Sequence, residues 1–197
     1  MTFTLLALSL IACAIGTTQR SNPALRGFTE GCKDKPQPCW YGIVPGVTTM
    51  GESAKQLIGQ FFQPTSSFTY TPPNNKEQCE ASLWSPSGWD NEIVQRLTLH
   101  CDEITLEEII RSFGEPQGII IQGYAVRTGY MSLIVFKNPA IQLEYSLSLL
   151  DKEPHSLFLY APENISLQNI WNMGRWRGFL ATWRYCQVEP TYRICAN

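Results

Sequence analysis

Apolar and polar positions along the chain switch several times between a helical and an alternating period. A first apolar run covers residues 3–15, and residues 16–23 then show no periodicity. Ala54, Leu57, Ile58 and Phe61 recur at helical spacing behind Thr48 and Thr49, which can cap a helix, and Gly59 is placed to end it. The pattern then alternates. Residues 67–70 read as a strand, Pro72, Pro73, Asn74 and Asn75 as a turn, and residues 79–84 and 93–101 as a hairpin. Val94, Leu97 and Leu99 alternate imperfectly, which leaves room for a bulge. A second helix is predicted over 105–114, with capping-box spacing from Thr105 to Glu108, acids in its first turn and Gly114 at its end. Strands are predicted at 118–124, 131–136, 141–147 and 155–160, with turns at 127–129, 137–139 and 151–154.

The two helices share a form: a threonine cap, an apolar turn, a closing glycine, then strands. That order reads as a duplicated helix-then-meander unit of about 55 residues, over roughly 45–101 and 102–160. Residues 165–174 offer a third echo of the helix. Shared capping grammar among unrelated short helices is the alternative. The predicted fold is α+β, an antiparallel sheet with short helices on one face, read as two tandem helix-plus-meander repeats.

Pro45, Gly46, Val47, Thr48 and Thr49 with Leu57, Ile58 and Gly59, and Ile104 to Ile109 with Phe113, Gly114, Glu115 and Pro116, resemble a "G-x-T, helix, G-x-P" opening. This opening is similar to that of small exported proteins related to the outer-membrane assembly lipoprotein BamE and to the beta-lactamase-inhibitor-protein fold. Cys39, Trp40, Tyr41, Gly42 and Ile43 also resemble a feature of uncharacterised bacterial lipoproteins. The resemblance covers about 30 residues and implies an antiparallel sheet with short helices on one face, used to bind other proteins. The cysteines and the Trp-rich tail depart from that pattern, so no shared partner is carried over.

The apolar run at 3–15 suits a signal-peptide core and is short of the roughly 20 residues of a spanning helix. It closes on Leu10, Ile11, Ala12 and Cys13, which resembles a bacterial lipobox and would put a lipid on Cys13. Cleavage by ordinary signal peptidase at Ala12, Cys13 and Ala14, releasing a soluble secreted protein, and a buried apolar N-terminal segment are the alternatives. The organisation read from this is a lipoprotein signal at 1–13, a flexible tether at 14–31 and one globular domain at 32–197, ending in a Trp/Arg-rich segment at 161–197. Of seven cysteines, either cleavage takes Cys13 out of the thiol pool, by lipidation or by excision, and leaves six that can pair: Cys32, Cys39, Cys79, Cys101, Cys186 and Cys195. Six can pair completely in an oxidising compartment, and sequence order favours the local pairs 32 with 39, 79 with 101 and 186 with 195. A hairpin turn centred near Asp90 would set Cys79 opposite Cys101. A zinc site is the competing reading, but the spacings are not those of zinc ribbons.

Composition narrows the function classes. Charged residues are 16% against 44% hydrophobic, and the formal net charge is −2, with Lys and Arg scattered singly, so no basic patch exists to neutralise a phosphate backbone. Nucleic acid is not an expected partner. No nucleophile elbow, zincin motif, P-loop or dinucleotide fingerprint occurs, and neither a metal nor a cofactor is expected. His100 and Cys101 are adjacent on a predicted strand and point to opposite faces. Asp102, Glu103, Glu107 and Glu108 gather at a helix N-terminus, where the dipole accounts for them, and His155 reads as an exposed turn residue.

Trp171, Trp176 and Trp183 interleave with Arg175, Arg177 and Arg184, a combination enriched in binding hot spots, set against rings that close a core beneath arginine stems. The expectation is a non-enzymatic cell-envelope lipoprotein, held to the membrane by its lipid, that binds another envelope protein. The alternatives are a secreted hydrolase with a carboxylate site assembled by the fold, and an inhibitor of an extracellular enzyme that uses a loop such as 85–91.

Overall fold

Two threonines start the two longer helices. α1 (Arg26–Thr29) is a single turn; α2 (Met50–Gly59) and α3 (Leu106–Phe113) each begin with a reciprocal capping box. Thr49 Oγ1 accepts from the Glu52 N–H at 3.3 Å, and the Glu52 carboxylate accepts from the Thr49 N–H at 3.1 Å. Thr105 and Glu108 repeat the pair at 3.3 and 2.9 Å. Each box satisfies two helix-end donors that would otherwise lack partners. The computed structural model describes residues 22–73, 79–101, 104–124, 129–136, 140–146, 156–161, 173–176 and 178.

The helix ends differ from expectation in one case. Gly114 closes α3 with φ 83°, as predicted. α2 runs through Gly59, and the left-handed residue is Phe61 at φ 66°. The Phe61 N–H donates to Ile58 O and the Phe62 N–H to Leu57 O, a Schellman closure. Phe62 is thereby buried edge-on against Trp40 and Tyr41, at ring-centroid distances of 5.6 and 5.7 Å. Packing at Phe62, rather than the glycine, decides where the helix stops.

The described strands form one antiparallel sheet. They are β1 (Gln63–Pro64), β2 (Thr69–Thr71), β3 (Glu80–Trp84), β4 (Arg96–His100), β5 (Gly118–Tyr124), β6 (Gly129–Phe136), β7 (Ile141–Ser146), β8 (Ser156–Tyr160) and β9 (Met173–Arg175). Their order is β1-β2-β3-β4-β8-β7-β6-β5-β9. α2 and α3 are thus each followed by a four-stranded meander, and the two meanders meet through their last strands, β4 against β8. The α+β class with helices on one face holds. Met173 and Gly174 lie in β9 rather than in a third helix, because they pair with Ile120 and Ile119 on the sheet edge.

Alternation sorts the sheet into two faces. Ala81, Leu83, Leu97, Leu99, Ile141, Leu143, Leu157 and Leu159 are buried on one face, packed with Leu57, Leu106 and Ile109 of the helices. Each fully buried leucine contributes roughly 1.5–3 kcal/mol, which offsets the low intrinsic stability of helices this short. The opposite face carries Trp84, Arg96, His100, Phe158 and Tyr160. Farther along it, Ile120 and Val135 pack with Met173 in a small second cluster.

The tether expected through residue 31 does not extend that far. Residues 23–25 form a 3-10 turn leading into α1, Ala24 and Phe28 belong to the main core, and the Asn22 side chain donates to the Glu108 carboxylate at 3.1 Å. Polar spacing hid this, since only two buried side chains hold the segment down. Cys32 is bonded to Cys39 and Cys79 to Cys101. The Glu80↔His100 register places the second pair opposite each other, as the predicted hairpin required. Cys13, Cys186 and Cys195 lie outside the described residues.

Candidate functional site

The loop joining β3 to β4 combines a fixed backbone with exposed apolar side chains. Glu92 lies near its base, and its carboxylate accepts from the N–H groups of Ser87 and Gly88, both at 3.0 Å. On the other side the loop is laced to the start of α2: Val94 N–H donates to Thr48 O, Met50 N–H to Glu92 O and Gly51 N–H to Asp90 O. Phe68 lies against Gly88, where a Cβ would fall 2.6 Å from the ring. Above this framework Trp89 is 70% exposed, and Val47, Phe68 and Ile93 are also exposed.

The Glu92 carboxyl is held below its ordinary range, chiefly by the hydroxyls of Ser85 and Ser87 and then by the Ser87 N–H. A depressed carboxyl contributes its share of loop order above its unfolded pKa, and that share is lost as pH falls through the folded value. The Ser87 and Gly88 amide shifts are therefore expected to titrate together in an NMR pH series, with a midpoint below that of a free glutamate. A midpoint at or above the free value would refute the pinning, and Glu92→Gln should remove the step.

A second group occupies the face of the sheet opposite the helices. Arg96 Cζ lies 5.4 Å from the Trp84 ring centroid and 5.7 Å from that of Phe158, so the guanidinium sits between two aromatic rings. Cross-strand register puts Trp84, Arg96 and Tyr160 in one row and Ser82, Thr98 and Phe158 in the next. Thr69 and Ser82 share a hydroxyl hydrogen bond of 3.1 Å. Farther along, Ser156 Oγ is 3.0 Å from His100 Nδ1, with Glu80 opposite His100.

The Ser156 and His100 contact has the reach of a nucleophile and its base, and sequence gave no hint of it, since 56 residues separate the two. Acyl transfer also needs N–H donors for the developing oxyanion. β8 has a neighbouring strand on each side, so its backbone donors serve the ladders instead. The contact ties β8 to β4. The acids at α3 are engaged structurally as well: Glu108 caps the helix and bonds Asn22, and Glu107 pairs with Arg111 at 2.5 Å.

Of the Trp/Arg segment, Arg175 is exposed on the edge strand β9, while Trp176 is partly buried against the main core. The structure does not place these two on one exposed surface. Trp171, Arg177, Trp183 and Arg184 lie outside the described residues. The zinc reading fails for Cys32, Cys39, Cys79 and Cys101, whose sulfurs are in disulfides, and among the described residues no group of three His, Cys, Asp or Glu converges to hold a metal. A groove of about 480 Å³ runs between α1 and α3, lined by Leu25, Phe28 and Phe113 among others. No described helix is long and apolar enough to cross a membrane, and the two disulfides suggest an extracytoplasmic location.

Sequence reading singled out the 85–91 loop only as an inhibitor probe; the exposure of Trp89 and the hold of Glu92 were missed. A single Trp in a Ser/Gly/Asp-rich turn was the available signal. Compared with known proteins, the chain matches no family model, no curated protein sequence and no solved structure.

Proposed function

We propose that this chain is an exported cell-envelope lipoprotein, anchored by a lipid on Cys13, that acts as a non-catalytic module binding another envelope protein through the 85–93 loop. The single observation that carries the reading is Trp89, 70% exposed on a backbone already fixed by Glu92 and by the ladder to α2. An exposed tryptophan on a pre-ordered loop supplies large contact area with little entropy left to lose on binding. Val47, Phe68 and Ile93 widen the apolar patch around it. The disulfides support the exported setting, and the resemblance at 45–49 and 104–116 points to protein binding as well.

Capture from intact membranes with the acylated chain tests the reading. Trp89→Ala is expected to weaken the captured complex by about thirtyfold, the loss of one hot-spot residue of about 2 kcal/mol. If no partner co-purifies while glycan or ester substrates are turned over, the binding reading fails. Mass spectrometry of the mature N-terminus decides the anchor separately, since an unmodified chain beginning at Ile15 would remove the lipid and leave the binding surface intact. The pinned loop also favours a second reading, insertion into the cleft of an extracellular enzyme, in which case the captured partner would be an enzyme whose turnover falls when this protein is added.

A further inference from the structure

We infer that the face of the sheet opposite the helices holds a second site, centred on Arg96, for an acidic saccharide whose carboxylate seats on the guanidinium. Arg96 is half-buried on β4, and its Nε is enclosed without any hydrogen-bond partner. No carboxylate pairs with it among the described residues; the ion pairs there are Arg26 with Glu30 and Arg111 with Glu107. An enclosed guanidinium nitrogen left unpaired is costly, and two flanking rings fix the plane of the group without satisfying its donors. With Nε closed off, a carboxylate would seat on the two terminal nitrogens, a planar bidentate pairing suited to a guanidinium held beside two rings.

The surroundings favour a sugar acid over an acidic peptide. Trp84, beside Arg96, is 48% exposed and offers an apolar ring for a pyranose face. The next row is polar, with the Ser82 and Thr69 hydroxyls bonded to each other and Thr98 buried, and Tyr160 stands opposite Arg96 on β8. A peptide would look for free backbone groups to pair with, and β3, β4 and β8 each have a strand on both sides. Glu80 and His100 lie four residues along the strands from this row, about 13 Å away, beyond a Debye length at physiological salt. Among the described residues, the site therefore presents one positive charge with no carboxylate paired to it, beside an aromatic plane. Trp84 and Arg96 form the last pair of the hairpin beneath the 85–93 loop, on the sheet face opposite the helices.

Titration calorimetry of the intact domain with tetragalacturonate tests the site, with the carboxyl-reduced neutral tetrasaccharide and hexaglutamate as comparison probes. Saturable binding of the uronate is expected, at least tenfold weaker for the neutral sugar and for hexaglutamate. Arg96→Met keeps the stem between the rings and is expected to weaken uronate binding at least tenfold. Arg96→Lys should recover only part of it, while Trp89→Ala should leave it unchanged. Circular dichroism of each variant verifies folding. No saturable uronate binding, equal binding of the neutral sugar, or full binding by Arg96→Met would overturn the proposal. Tighter binding of hexaglutamate would overturn the saccharide assignment, and loss of binding in Trp89→Ala would overturn the placement on the face opposite the helices.

Discussion

Trp40→Ala is expected to lower unfolding free energy by about 3–5 kcal/mol, measured from urea denaturation midpoints. Trp40 is 1% exposed and meets Tyr41 and Phe62 edge-on, at centroid distances of 4.7 and 5.6 Å. It also covers Gly27, where a Cβ would fall inside the indole, so the segment of residues 22–31 can dock only because that position is glycine. Gly27→Ala is accordingly expected to be destabilising by about 1–3 kcal/mol. The indole Nε1 is buried and has no hydrogen-bond partner, so Trp40→Phe removes an unsatisfied donor together with the atoms nearest Gly27. In the Trp40→Phe background, Gly27→Ala should therefore cost less than it does alone. Additive costs in this double-mutant cycle would refute the proposed contact.

Removing the Cys79 and Cys101 bond by Ala substitution of both is expected to cost about 3 kcal/mol, from the entropy of a closed loop spanning 22 residues. Both cysteines are buried in the main core, so lost packing adds to that figure. The Cys32 and Cys39 bond spans 7 residues, and its removal should cost about 1 kcal/mol less on the same loop-length dependence. Reducing the wild-type protein before denaturation opens both bonds while keeping all four side chains, and set against the two Ala pairs combined it separates the loop effect from the packing effect. A change under about 1 kcal/mol on reduction would mean that the unfolded chain keeps the hairpin closed by other contacts.

The hairpin between these cysteines shows how far sequence can reach. A turn near Asp90 and the even spacing of 79 and 101 were sufficient to give a register that the Glu80↔His100 pairing matches. Local chemistry also placed the Thr105 and Glu108 capping box and a threonine cap for α2, because a threonine and a glutamate three residues later satisfy each other within one turn; the matching role of Glu52 came only with the structure. The end of α2 was illegible, since burial of Phe62 under Trp40 outweighed the glycine at 59. The 22–31 segment reads as tether in the sequence for a similar reason: its two anchors, Ala24 and Phe28, acquire a core only from elements far along the chain.

Candidate sites divide along the same line. The 85–91 loop could be named from its turn residues, but its stiffness comes from Glu92 and from backbone bonds to Thr48, Met50 and Gly51. Arg96 was invisible as a site, because Trp84 and Phe158 flank it from different strands, Phe158 lying 62 positions along the chain. Ser156 and His100 met for the same reason, through the pairing of β4 with β8.

By itself, sequence determined what depends on neighbours within a turn or a hairpin: the threonine caps, the alternation, the two local cysteine pairs among the described residues and the helix-then-meander order. Those features arise from short-range sterics and hydrogen bonding, which a linear pattern records directly. Tertiary structure decided how the two meanders join, where α2 ends and how Arg96 comes to lie beside Trp84 and Phe158. Each depends on residues brought together by strand register and core packing, and those contacts have no fixed separation along the chain.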